Sequence, residues 1–173
     1  MTIKKPESSE LNEYYRSYLK YVPEEDLLTT IENLPLESAA FLNGISEEES
    51  TLSYDVGKWQ VREVLGHLCD TERILSYRAL RFARKDETPI PGFEENDYVL
   101  NSNFRDRSWA SLVEEKHVIS NATIHFFRNL EPFMFNLSGP ANNNRVSVRA
   151  ILFFIIAHER HHLQVLKDRY LKR

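Results

Sequence analysis

Three of the chain's six histidines fall within five positions of the stretch AHERHHLQVL, Ala157 to Leu166. His158 and His162 stand four residues apart, so on a helix they are neighbours on one face. Two neutral imidazoles placed that way can hold one divalent ion without backbone strain. The letters His158-Glu159-x-x-His162 also match the helix of zinc proteases, in which the glutamate is the general base. That enzyme needs a further ligand brought back by a turn. The eleven residues after His162, LQVLKDRYLKR, carry no glycine for the turn and no glutamate. Asp168 stands where the extended motif has its third ligand, but a continuous helix carries it roughly 9 Å along the axis beyond His162. The protease pattern is therefore expected to be coincidental. Glu159 remains a candidate acid-base group, although a solvent-facing helix glutamate is the simpler expectation.

A third ligand is sought among core-facing histidines elsewhere. Val64, His67, Thr71 and Ile74 share a helical row, so His67 interrupts an apolar pattern. On its own it fits a hydrogen-bonded core histidine. Next to the pair it completes a set of three imidazoles with positions left open, as catalytic metal sites have. Two bare imidazoles buried side by side would leave polar nitrogens unsatisfied, which favours metal at His158 and His162. His161 points to another side of its helix and is expected outside the ligand set. His117 and His125 lack similarly spaced partners and stay unassigned.

These residues need long helices to position them. SSELNEYYRSYLKYV predicts a short leading helix, and Pro23 opens a second segment through EEDLLTTIENLPLESAAFLNGI, with a kink or break near Asn33 and Leu34 ahead of Pro35. QVREVLGHLCDTERILSYRALRFARK is the cleanest helical pattern; Gln60 and Glu63 occupy capping-box positions, though glutamine is a poor cap. DETPIPGFEENDYVLNSNFRD reads as a long loop. Ser108 caps the next helix, GPANNNR forms a polar turn, and Ser147 caps the last helix, whose cationic end is Lys167, Arg169, Lys172 and Arg173. Five glycines and few β-branched alternations offer little to a sheet. An all-α four-helix bundle results, with a short N-terminal helical extension and a long loop between the second and third bundle helices.

At 173 residues and 42% hydrophobic content, the chain is expected to be one globular domain, residues 1–173. Twenty-two Lys and Arg against 26 Asp and Glu, with no basic stripe, argue against nucleic acid. No signal segment is evident at MTIKKPESSE, and the longest apolar stretch, Ile151 to Ala157, is too short to cross a bilayer. A cytoplasmic protein without membrane partners is expected. The lone Cys69 fits a reducing compartment.

Three segments in order, GKWQVREVLGHLCDTERILSYRALRFAR, PIPGFEENDYV and NNRVSVRAILFFIIAHERHHLQVLKDRYL, give the chain a resemblance to the DinB/YfiT-like superfamily of metal-binding four-helix bundles. The resemblance covers nearly the full length. It implies a divalent metal, commonly zinc or nickel, held by His67, His158 and His162. Gln60 departs from the serine or threonine expected after Trp59, and Trp59 is expected as plain core at the bundle end. Asn96 and Tyr98, beside Asp97, would line the pocket mouth as substrate contacts. The resemblance implies two enzyme classes, thiol-dependent S-transferases and isomerases on one side and metal-dependent hydrolases on the other. A transferase using a low-molecular-weight thiol and a small electrophile is the first expectation here, and it suits a chain whose Cys69 points away from His67, since no protein nucleophile is needed. Metal-dependent hydrolysis by activated water, with Glu159 or a loop acid moving protons, is the alternative; a non-catalytic metal-stabilised binding protein is the third. Relatives often form homodimers, so the resemblance also implies a dimer.

Overall fold

The structure, a computed structural model, describes residues 1–172. Arg173, expected in the cationic helix end, lies outside the described residues. The leading segment is not one helix. It forms three short turns, Ser8–Glu10, α1 at Glu13–Arg16 and Leu19–Tyr21. So few residues cannot sustain a helix by themselves, and aromatic packing fixes them instead: Tyr15 and Tyr18 set their rings edge-on to Phe154, with centroids 4.5 and 5.0 Å away.

Asp26 caps α2, Leu27–Leu42, by accepting hydrogen bonds from the Leu28 amide and the Thr29 hydroxyl. The break expected ahead of Pro35 does not occur. A proline costs the helix one backbone donor, but Leu27, Ile31, Leu34, Ser38 and Leu42 are buried on both sides of it, and that stripe holds the helix continuous. Helix α3 spans Val61–Ala83, and its Gln60–Glu63 capping box forms despite the weak cap residue, with Glu63 accepting from the Gln60 amide at 2.7 Å.

The expected long loop carries a short helix, α4 at Glu95–Leu100, and a 3-10 turn at Phe104–Asp106. Buried Val99 and Phe104 anchor it. The Phe104 ring lies where a Cβ at Gly66 would stand, 2.3 Å from the nearest ring carbon, so glycine is required there for the segment to close on α3. Ser108 caps α5, Trp109–Arg128. The polar turn that follows is the tip of a hairpin, β1 Ser138–Ala141 paired antiparallel with β2 Asn144–Ser147. Asn142 and Asn143 both take positive φ, 49° and 60°, as a two-residue hairpin turn demands. Ser147 then caps α6, Val148–Val165, which passes into a π-helical turn, Leu166–Leu171.

Helices α2 and α3 each pack against both α5 and α6. The successive pairs α2/α3 and α5/α6 therefore stand across the bundle from each other. Apolar residues fall into two clusters, one running from Ile3 to Ala157 in the chain and one gathered around Leu42, Leu65, Leu112 and Leu163. Between them lies a polar layer with one side chain from each helix: Ser38, Glu72, Lys116 and Glu159, all buried. No helix among the described residues is long and apolar enough to cross a membrane.

Candidate functional site

Residues eleven apart on a helix return to one face after three turns. By that rule His67 and Arg78 share a face of α3 with Thr71 between them, while α6 brings Phe154, His158, His161 and His162 to the same cavity. The cavity measures about 520 Å³.

In its wall three imidazoles converge. His158 Nε2 lies 3.2 Å from His67 Nε2 and 3.1 Å from His162 Nε2, and one ligand atom from each ring falls within 4.8 Å of the other two. Burial holds His67 down to about 4 and is also the first cause holding His158 and His162 well below the ordinary histidine value, with neighbouring histidines adding to it. All three are neutral at pH 7. Neutral imidazoles facing one another through Nε2 cannot satisfy both contacts, because His158 Nε2 has either one proton or one lone pair to offer two neighbours. A cation at their centre would use all three lone pairs. Nitrogens bound tetrahedrally at 2.0–2.1 Å stand about 3.3 Å apart, close to the observed spacing, so the residues fit a divalent ion. Thr71 Oγ1 lies 3.4 Å from His67 Nδ1, on the ring edge away from the cluster.

The surrounding wall is aromatic. Trp59, expected as plain core, is half-buried and lines the cavity with its ring 5.0 Å from His67. His161 is half-buried as well, with Nδ1 2.8 Å from the Tyr21 hydroxyl, outside the three-nitrogen cluster as expected. Of the two loop residues expected as substrate contacts, Asn96 lines a neighbouring cleft shared with His161 and His162. Tyr98 does not line the main cavity; it packs on Phe93, which does, at 5.1 Å. Gly92, Phe93, Glu95 and Asn142 form the rim that sequence reasoning did not assign. Their signal lay in the two stretches already noticed, PIPGFEENDYV and GPANNNR. His117 and His125 are exposed on α5, away from the cluster.

Glu159 overturns its expectation of a solvent-facing position. It is 3% exposed, its carboxylate accepts from Lys116 Nζ at 2.7 Å and from the Ser38 hydroxyl, and it does not line the histidine cavity. Lys116 also pairs with Glu72 at 3.0 Å and donates to Ser120 Oγ at 2.7 Å. Burial opposes the charge on Lys116, but Glu159 and Glu72 outweigh it and hold the ammonium above its ordinary value. This layer went unread because Lys116, one turn after buried Leu112 on the same face, shows its role only once Glu72 and Glu159 are seen opposite it. Cys69 is fully buried, its thiol pushed up to about 12 by burial, and does not line the cavity.

A family profile described as the DinB superfamily matches residues 30–166. A protein of Oceanobacillus iheyensis, provisionally named a metal-dependent hydrolase, is 23% identical over 127 residues, 73% of either chain. Among solved structures, YfiT from Bacillus subtilis, described as a probable metal-dependent hydrolase with an unusual four-helix bundle topology, superposes with a TM-score of 0.75 at 16% identity, over 97% of this chain and 92% of that one. At that identity the likeness speaks for the fold.

Proposed function

The chain belongs to the DinB superfamily, and on that premise we propose that it is a metal-dependent enzyme of hydrolytic type, acting on a small molecule, with His67, His158 and His162 holding a divalent ion. The observation that carries the reading is the three Nε2 atoms, two from buried histidines and one from half-buried His162, with His158 Nε2 3.2 and 3.1 Å from the others, in the wall of a cavity of about 520 Å³. Imidazole donors suit zinc and nickel alike. A divalent ion bound by three imidazoles supplies a Lewis acid with open positions.

The chain's own residues do the rest. Burial keeps the three ligands unprotonated, so no proton has to leave before they bind. Trp59, Tyr18 and Phe154 give the cavity an apolar, aromatic wall. Among the described residues Glu95 on α4 is the carboxylate in that lining and serves as the proton acceptor in this reading; Glu159 is engaged with Lys116 instead.

A thiol-dependent S-transferase is the second reading. Cys69 does not line the cavity, which leaves the nucleophile to come from solution, either as water or as a low-molecular-weight thiol. Both relatives described above carry hydrolase names, and for that reason hydrolysis stands first. The test compares metal-loaded with metal-stripped protein on esters, amides and lactones without thiol, and on alkylating electrophiles with a thiol panel. Turnover that needs metal and no thiol is expected. Turnover only with a thiol would move the assignment to the transferase. No metal-dependent turnover in either arm would contradict both and leave the metal a role in stabilising a binding protein.

A further inference from the structure

Arg78 stands apart from the chain's other buried cations. Arg62 and Lys116 each meet carboxylates, whereas Arg78, 6% exposed, forms no ion pair among the described residues. Its Nη2 donates to the Pro91 carbonyl at 3.0 Å, its Nε has no partner, and the guanidinium carbon lies 5.9 Å from the centre of the Phe93 ring. A buried guanidinium without a carboxylate is costly to fold. Burial accordingly lowers its pKa from the ordinary arginine value.

Its position gives that cost a use. Arg78 lines the histidine cavity from the same face of α3 as His67, eleven residues along the helix. The Cα atoms are thus about 16 Å apart along the axis, and both side chains tilt toward the helix N-terminus. Among the described residues Arg78 is the only arginine or lysine in the cavity lining, and Tyr15, Phe93 and Phe154 stand in the same wall. We propose that Arg78 anchors the substrate through a carboxylate, so that this site takes a small monoanionic acid with an apolar or aromatic body, its reacting group directed at the histidine cluster. A planar guanidinium matches a carboxylate with paired N–H donors. Apart from the divalent ion assigned to the histidine end, the lining offers the anionic end of a substrate one guanidinium beside the Glu95 carboxylate, which suits a single negative charge better than the double charge of a phosphate. The inference names the substrate class for the site assigned above and rests on that assignment for the reacting end alone.

The test uses binding, so that it does not depend on turnover. At about pH 9, where the phosphonate carries two charges, 3-phenylpropionate, the neutral 3-phenylpropionamide and 2-phenylethylphosphonate are titrated calorimetrically into metal-stripped and metal-loaded protein, with metal content measured on the same samples. In the metal-stripped protein, where the guanidinium alone can select the anion, the acid should bind at least about tenfold more tightly than the amide, and more tightly than the phosphonate. Arg78→Met should remove the preference for the acid, and Arg78→Lys should keep part of it. Equal affinity for acid and amide, stronger binding of the phosphonate, or no saturable binding of the acid in the millimolar range would overturn the proposal. So would an unchanged preference in a folded Arg78→Met protein; if that variant does not fold, the acid–amide comparison in the unaltered protein decides. No acid preference in an unaltered protein that takes up its full metal removes the anchor alone, whereas an acid preference in an unaltered protein that takes up no metal removes the metal assignment alone.

Discussion

His158 and Glu159 are consecutive on α6 and serve different chemistry: His158 Nε2 sits 3.2 Å from His67 in the cavity, while the Glu159 carboxylate sits 2.7 Å from Lys116 in the core. Successive helical residues diverge by about 100°, enough to place one on α3's side of the helix and the next in the centre of the bundle. The HExxH letters thus divide between a three-histidine cluster and a buried ion pair.

The polar layer gives a stability prediction. Lys116→Met leaves Glu72 and Glu159 buried without their cation, and breaking such a group typically costs about 3–5 kcal/mol. Denaturant unfolding should show a loss of that order. Replacing Lys116, Glu72 and Glu159 together by methionine should recover most of it. A single-variant loss below about 1 kcal/mol would contradict a net stabilising or organising role for the layer.

Acid should destabilise the metal-free protein over a defined window. His67 titrates near 6.5 when unfolded and near 4 when folded, with burial as the cause. Above pH 6.5 both states are neutral and the contribution is fully present; as pH falls toward 4, the unfolded chain takes up a proton that the folded one refuses, and stability drops. His158 and His162 shift in the same direction. Thermal melts should show Tm falling from pH 6.5 to 4, with a shallower fall in His67→Gln. A flat Tm across that window in metal-free protein would contradict the buried neutral cluster.

Gly66→Ala tests how the segment after α3 is seated. The added Cβ would fall 2.3 Å from the Phe104 ring, in the position next to His67. Overpacking of this kind costs about 1–3 kcal/mol, and Gly66→Ala combined with Phe104→Ala should relieve the clash while adding a cavity cost. Chemical unfolding of both variants checks this, and an unchanged midpoint for Gly66→Ala would count against the contact.

The four main helices and the three converging histidines were legible because their signals are periodic: apolar residues at helical spacing, serine caps at 108 and 147, and imidazoles standing where leucines would serve. The hairpin was missed because its turn is Asn142-Asn143 without glycine, with left-handed backbone that asparagine tolerates. Helix α4 was missed because its buried face amounts to Val99. Lys116 and Glu159 were unreadable singly, since a charge on an apolar face declares itself only when the opposing charges on other helices are known. Arg78 likewise reads as an ordinary helix cation until the carboxylates prove to be elsewhere.

The central claim is that three histidines from two helices hold one divalent ion. Metal content after loading and dialysis measures it directly, in the unaltered protein and in His67→Ala, His158→Ala and His162→Ala. The account predicts one ion per chain in the unaltered protein and a marked loss in each variant, with the helical circular dichroism retained. Full occupancy in all three single variants, or no bound zinc or nickel in the unaltered protein, would contradict it.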